Sequence, residues 1–179
     1  MRKILREIKV ELWKLPDLPV EEQKLIYKAL SARLKAQAPY SHYWVGAAVR
    51  SESGQIYRGC NVETASWTQT THAEQNAITT MVAEEGPVKL TAMAIVSAPA
   101  GEKPNLTPRA ETNPEARVED FCFACGHCLQ IAWENCLGDT EVPLLLLTSW
   151  GEIARTTVGD AFPMRFGPIS LGVDILRRD

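Results

Sequence analysis

The chain has 179 residues, 45% of them hydrophobic and 23% charged, with a formal net charge of −3. That is apolar content for one ordinary core, and the acidic balance argues against the basic face that a phosphate backbone requires. No apolar run approaches the roughly 20 residues of a membrane span, and five cysteines, an odd number with three of them crowded between Cys122 and Cys128, fit thiol or metal chemistry in a reducing compartment better than a disulfide framework.

Residues 1–19 mix charges with Leu5, Ile8, Val10, Leu12 and Trp13 and end in Leu15-Pro16-Asp17-Leu18-Pro19. They read as an N-terminal extension ahead of one domain over 20–179, and the early Glu7 and Lys9, in place of a signal core, make the cytoplasm the expected location. Leu25, Ile26, Ala29, Leu30 and Leu34 recur at helical spacing, which predicts an amphipathic helix from Val20 to about Gln37, with Pro39 beyond its end. Trp44 to Val49 and Gln55 to Cys60 are strand-like and separated by Glu52-Ser53-Gly54, a hairpin turn. Asn61 to Thr71 is polar and aperiodic. A helix starting at His72 carries a buried stripe of Ala73, Ala77, Ile78, Met81 and Val82 and stops at Glu85-Gly86-Pro87.

Leu90 to Ser97 is a nearly continuous apolar strand of the kind covered on both faces. From about 98 to 119 the composition turns to Pro99, Pro104, Pro108 and Pro114 among charges, an inserted irregular loop that reads as a specificity lid. A second helix runs from Cys125 to about Asn135, and strands follow at Val142 to Thr148 and Glu152 to Val158. After the leading helix, the order β-β-α-β-α-β-β predicts a three-layer α/β/α sandwich around a mixed sheet of about five strands, with two helix N-termini meeting at one sheet edge.

Those N-termini carry the chemistry. His72-Ala73-Glu74 with Cys125-Gly126-His127-Cys128 downstream forms H-x-E…C-x-x-C, the pattern of zinc nucleobase deaminases, although Ala124 stands where proline usually precedes the first cysteine. Cysteines at i and i+3 at a helix start face one ion, and the aligned N–H groups there favour thiolates. One histidine and two thiolates balance a divalent cation and leave a fourth tetrahedral position for water, the coordination of a catalytic site. Glu74 is then free to carry protons as the general acid and base. A structural histidine, or a C-x-x-C with a redox or four-cysteine role, is the plainer alternative. Cys122-Phe123-Ala124-Cys125 is a second, overlapping C-x-x-C, while Gly126 and the apolar helix after it favour pairing Cys125 with Cys128.

With these motifs in order, the chain resembles the cytidine deaminase family from about Val20 to Leu171. Pro39-Tyr40-Ser41-His42-Tyr43-Trp44-Val45-Gly46-Ala47-Ala48 is similar to P-Y-S-x-F-x-V-G-A, Gly59-Cys60-Asn61-Val62-Glu63 to G-x-N-x-E, Cys125 to Gln130 to C-G-x-C-R-Q, and Phe162 to Pro168 to L-P-x-x-F-G-P. The resemblance implies His72, Cys125 and Cys128 as zinc ligands and Glu74 as proton shuttle. It further implies Asn61 and Glu63 as ribose contacts, Tyr43 as the aromatic beside the nucleoside, Ala73 and Phe123 as backbone contacts to the base, and Phe166 as an aromatic lent to a neighbouring subunit. Leu129, Thr64 and Tyr43 depart from the family's arginine, asparagine and phenylalanine.

The expectation is a zinc-dependent hydrolytic deaminase of free cytidine or deoxycytidine in pyrimidine salvage. It assembles as a homo-oligomer, dimer or tetramer, and has no nucleic-acid or membrane partner. Competing readings are deamination of another aminated base or a blasticidin-like analogue, polynucleotide editing, and a non-catalytic zinc protein.

Overall fold

Successive strand residues point to opposite faces of a sheet, and in the central strands of this chain both sets are apolar, so both faces need a cover. The computed structural model describes residues 1–107, 116–117, 121 and 123–176. Its six-stranded sheet has the order β1 (Glu11–Trp13), β6 (Ile153–Thr157), β5 (Pro143–Leu147), β4 (Leu90–Pro99), β2 (Tyr43–Ser51), β3 (Ile56–Cys60). Strands β4 and β5 pair in parallel, and the other pairs are antiparallel.

Helix α1 (Val20–Arg33) covers one face, where Leu25, Ile26 and Ala29 meet Ala48, Ala92, Ala94, Val96, Leu145 and Leu147. Helices α2 (Ala73–Glu85) and α3 (Gly126–Asn135) cover the other, where Ala77, Ile78, Met81, Leu129 and Ala132 meet Ala47, Val49, Met93, Ile95, Leu144 and Leu146. The strict alternation of Ala47 with Ala48, Met93 with Ala94 and Leu144 with Leu145 divides one apolar sheet between two cores. The result is the expected three-layer α/β/α sandwich. Two four-residue helices, α4 (Val158–Ala161) and α5 (Pro168–Leu171), follow β6.

The sheet has six strands where about five are expected. The sixth comes from the extension: Glu11, Leu12 and Trp13 pair with Arg155, Ala154 and Ile153 along the β6 edge. Three residues with two side chains exposed carry no readable alternation, so only the partner strand defines them. Helix α1 also stops earlier than expected, at Arg33 in place of Gln37. Leu34 is 65% exposed, and Arg33 is 0% exposed on the face that Ile26 and Ala29 begin.

Two glycines let helices lie against the sheet backbone to backbone. A Cβ on Gly46 would strike the Ala29 carbonyl and the Arg33 amide of α1, and one on Gly59 would strike the Ala73 carbonyl and the Ala77 amide of α2. The second contact sets the first turn of α2, with His72 and Glu74, against the end of β3.

Candidate active site

Both metal-motif helices begin where the sequence places them. His72 and Cys125 are the N-cap residues of α2 and α3, each extended with ψ near 154° and 163°, and neither helix has a side-chain cap. Their orphan N–H groups therefore point into a shared space. The backbone of Val62 exchanges two hydrogen bonds of 2.9 Å with Thr71, which closes the Thr64–Thr70 loop and delivers the chain to His72.

His72 Nδ1 lies 3.4 Å from Cys125 Sγ and 3.4 Å from Cys128 Sγ. These three ligand atoms fall within 4.8 Å of one another and can hold one metal ion. In a tetrahedral site with Zn–S of about 2.3 Å and Zn–N of about 2.0–2.1 Å, the N–S edge is about 3.5 Å. The observed separations match that edge. Burial pushes the Cys128 thiol well above the ordinary cysteine range, and the neighbouring Glu74 and Cys125 add to the effect against the Gln75 amide, which donates to the sulfur. A cation is the group that would hold such a sulfur as thiolate, so the donor set fits zinc. Cys122, the other member of the overlapping C-x-x-C, lies outside the described residues.

Glu74 is buried on the first turn of α2. Burial pushes its carboxyl up, opposed by its own backbone N–H, by His72 and by the Cys128 thiol that donates to it. A carboxyl raised by its surroundings is suited to holding and releasing a proton. The rings of His72 and His127 meet edge to face at 6.1 Å.

Of the residues expected to contact substrate, Tyr43, Asn61 and Glu63 lie at the adjoining ends of β2 and β3, while Ala73 opens α2 and Phe123 precedes α3. Asn61 is buried and its side-chain amide extends the β2–β3 ladder past the end of β3: Oδ1 accepts from Val45 N–H at 2.9 Å and Nδ2 donates to the Tyr43 carbonyl at 2.9 Å. It retains one N–H and one lone pair for a ligand. Glu63, also buried, accepts from the Tyr40 and Ser41 amides at 3.0 and 3.2 Å through Oε2. Burial pushes its carboxyl up, but Ser41, Tyr40 and the charge of His42 outweigh that and hold it below the usual value. Tyr43 is exposed, with its hydroxyl 3.2 Å from Ser97 Oγ. Ala73 is buried as the first residue of α2, where its N–H has no intrahelical acceptor. Phe123 is buried beside Phe121, at a centroid distance of 6.1 Å.

Two sites stand apart. Phe166 is 59% exposed, and its carbonyl accepts from Gln130 at 3.0 Å. The described outgoing limb of the insert packs Leu106 onto the α1-side core and brings Thr107 against Gly151, on the face opposite the helix N-termini. Residues 108–115 lie outside the described part, as do 118–120. Arg33 is missing from the sequence-based set, although its spacing of seven from Ile26 and four from Ala29 places it on the buried stripe.

Comparison with known proteins agrees with this geometry. Residues 19–142 match the model of the cytidine and deoxycytidylate deaminase zinc-binding region. A cytidine deaminase of Sporosarcina psychrophila is 33% identical over 147 residues, 82% of this chain and 92% of that protein. One from Halalkalibacterium halodurans is 34% identical over 147 residues, 82% of this chain and 95% of its own length. Among solved structures, cytidine deaminase from Burkholderia pseudomallei superposes with a TM-score of 0.60 at 31% identity, covering 80% of this chain and 97% of that one. The Mycobacterium tuberculosis enzyme gives a TM-score of 0.59 at 28% identity, over 83% of this chain and 99% of its own. With its zinc-binding stretch, its fold and most of its length accounted for in this way, the chain belongs to the cytidine and deoxycytidylate deaminase family.

Proposed function

We propose that the protein hydrolyses cytidine or deoxycytidine to the uridine counterpart and ammonia, with zinc held by His72, Cys125 and Cys128. The observation that carries this is the meeting of one imidazole and two sulfurs at tetrahedral-edge distances with a buried carboxyl, Glu74, on the same helix turn. When bound, zinc supplies Lewis acidity that brings the pKa of water from about 15.7 to roughly 7. Glu74 takes one proton of the attacking water and passes it to the ring nitrogen, then takes the second from the hydroxyl now on the ring carbon and delivers it to the departing amino group. Water is consumed and ammonia leaves, so the shuttle ends as it began.

Around it, Asn61 and Glu63 take the sugar hydroxyls, Tyr43 lies beside the nucleoside, and backbone groups of Ala73 and Phe123 meet the base edge. Phe166 reaches a neighbouring subunit of a homo-oligomer, a reading supported by the exposed apolar surface of Met164, Phe166 and Leu171. The extension, 1–19, and the insert at about 98–119 are additions to a catalytic domain over 20–179. Pyrimidine salvage in the cytoplasm belongs to the same reading, and no described helix is long and apolar enough to cross a membrane.

Ammonia release from purified protein on nucleosides, free bases and nucleotides tests the reading. Cytidine and deoxycytidine should lead, because buried groups built for a hydroxyl are left unpaired when it is missing. A free base as the better substrate would overturn it.

A further inference from the structure

Arg33 is a fully buried charged side chain that the chemistry above does not use. Gly46 allows α1 to approach β2 so closely that the Arg33 backbone lies against the strand. From there the guanidinium reaches beneath the sheet end, 5.4 Å from the Trp44 ring centroid. Its hydrogen bonds go to backbone carbonyls: Nε to Trp44 at 3.2 Å, and Nη2 to Ala98 at 2.9 Å and Pro99 at 2.7 Å. Burial of this cation is costly, and the nearby Tyr43 and Glu102 offset only part of the cost, whereas a hydrophobic residue would fill the same stripe of α1.

The three carbonyls lie where the sheet runs out of neighbours. Strand β5 pairs with β4 only as far as Ile95, and β3 pairs with β2 only from Gly46 onwards, yet Tyr43 still faces Pro99 beyond both limits. That two-stranded end carries Tyr43 and Ser97, joined through their hydroxyls, and gives rise to the inserted loop at Ala100, whose amide donates to the His42 carbonyl at 2.8 Å. Asn61 holds Tyr43 and Val45 from the β3 side. Arg33 holds Trp44, between them, and the facing strand.

We propose that Arg33 is a positioning residue for nucleoside recognition, a guanidinium clamp that fixes the Tyr43–Val45 and Ala98–Pro99 strand ends and so governs substrate binding and not the chemical step. This rests on the proposed deamination of cytidine. Neither its nearest acceptors nor Trp44 belongs to α2 or α3, so loss of the clamp should leave the metal helices in place. Lysine keeps the charge but lacks the planar fork that spans several acceptors, and methionine removes the charge as well.

The test compares wild type, Arg33→Lys and Arg33→Met by steady-state kinetics on cytidine, zinc content and amide hydrogen exchange. Expected are a KM about tenfold higher with kcat within about threefold, an unchanged zinc content, and faster exchange at Tyr43, Val45 and Ala100 with the α2 and α3 amides unaffected. Should Arg33→Met fail to fold, Arg33→Lys decides the matter. Unchanged KM and unchanged exchange at those amides would reduce Arg33 to bulk packing. A fall in kcat and zinc at constant KM would assign it to the metal site; both results overturn the clamp. If wild type does not deaminate cytidine, the functional reading fails, while exchange at the three amides still decides the clamp.

Discussion

At the scale of single residues, the site separates groups that bind from the group that moves protons. His72, Cys125 and Cys128 converge as metal donors, whereas Glu74 is withheld from water by the first turn of α2, and burial raises its carboxyl. Glu74→Gln preserves size and burial but removes the exchangeable proton. It should retain about one zinc per chain and bind cytidine with little change, yet lose roughly 10²–10⁴-fold or more in kcat. Near-normal turnover with bound zinc would mean that another group carries the protons. Asn61 teaches a different lesson. Its residue type suits a ribose contact, but half of its hydrogen-bonding capacity goes to the β2 backbone, so its replacement would disturb Tyr43 as well as any direct sugar contact.

At the scale of elements, the position of the site depends on how closely α2 approaches β3. A methyl at Gly59 would meet the Ala73 carbonyl and Ala77 amide, both parts of the helix backbone that cannot swing aside. Gly59→Ala should therefore cost at least roughly 1–3 kcal/mol in chemical denaturation and lower activity by shifting His72 and Glu74. Full activity with unchanged stability would show that α2 yields without consequence. At the other end of α2, one oxygen of Glu85, Oε1, accepts from the Ser51, Ser53 and Tyr57 hydroxyls at 2.6, 2.9 and 2.7 Å, tying the helix to the β2–β3 hairpin. The Ser51 and Tyr57 hydrogen bonds hold its carboxyl below the ordinary value, and the same bond pushes the Tyr57 hydroxyl up to about 12. A depressed carboxylate stabilises the fold above its unfolded pKa of about 4.3, and that contribution is lost as pH falls through the lower folded value. Thermal melts should show Glu85→Gln less stable than wild type at neutral pH, with the gap closing below about pH 4. A gap that stayed constant down to about pH 3 would rule out titration of Glu85 as its source.

For the whole molecule, the extension is part of the sheet. Besides the β1–β6 ladder, Thr156 Oγ1 donates to the Lys9 carbonyl at 2.6 Å, and Arg6 pairs with Asp160 at 2.9 Å. Ile8 and Val10 border a cavity of about 190 Å³ that also touches Phe121, Phe123 and Leu129. Removing residues 1–13 should uncover the β6 edge, lower Tm by several degrees, as a loss of about 1–2 kcal/mol would in a chain of this size, and increase self-association. Differential scanning calorimetry and size-exclusion chromatography would detect both; an unchanged Tm and elution volume would make β1 dispensable.

The layer order and the zinc-type motif are legible in the residues alone, because both are local. Helical spacing, buried strand runs and residues two or three apart at a helix start are properties of short stretches, and they placed α2, α3, β4 and the three donors without tertiary information. Only the folded chain decided what depends on partners distant in sequence. Glu11–Trp13 is a strand because β6 lies beside it; Asn61 serves the β2 backbone because β3 ends one residue too soon to do so. Arg33 sits at a position whose periodicity reads as apolar, and only the meeting of β2 and β4 ends, 11 and 65 residues away in the chain, supplies the carbonyl acceptors that make a buried guanidinium tolerable there.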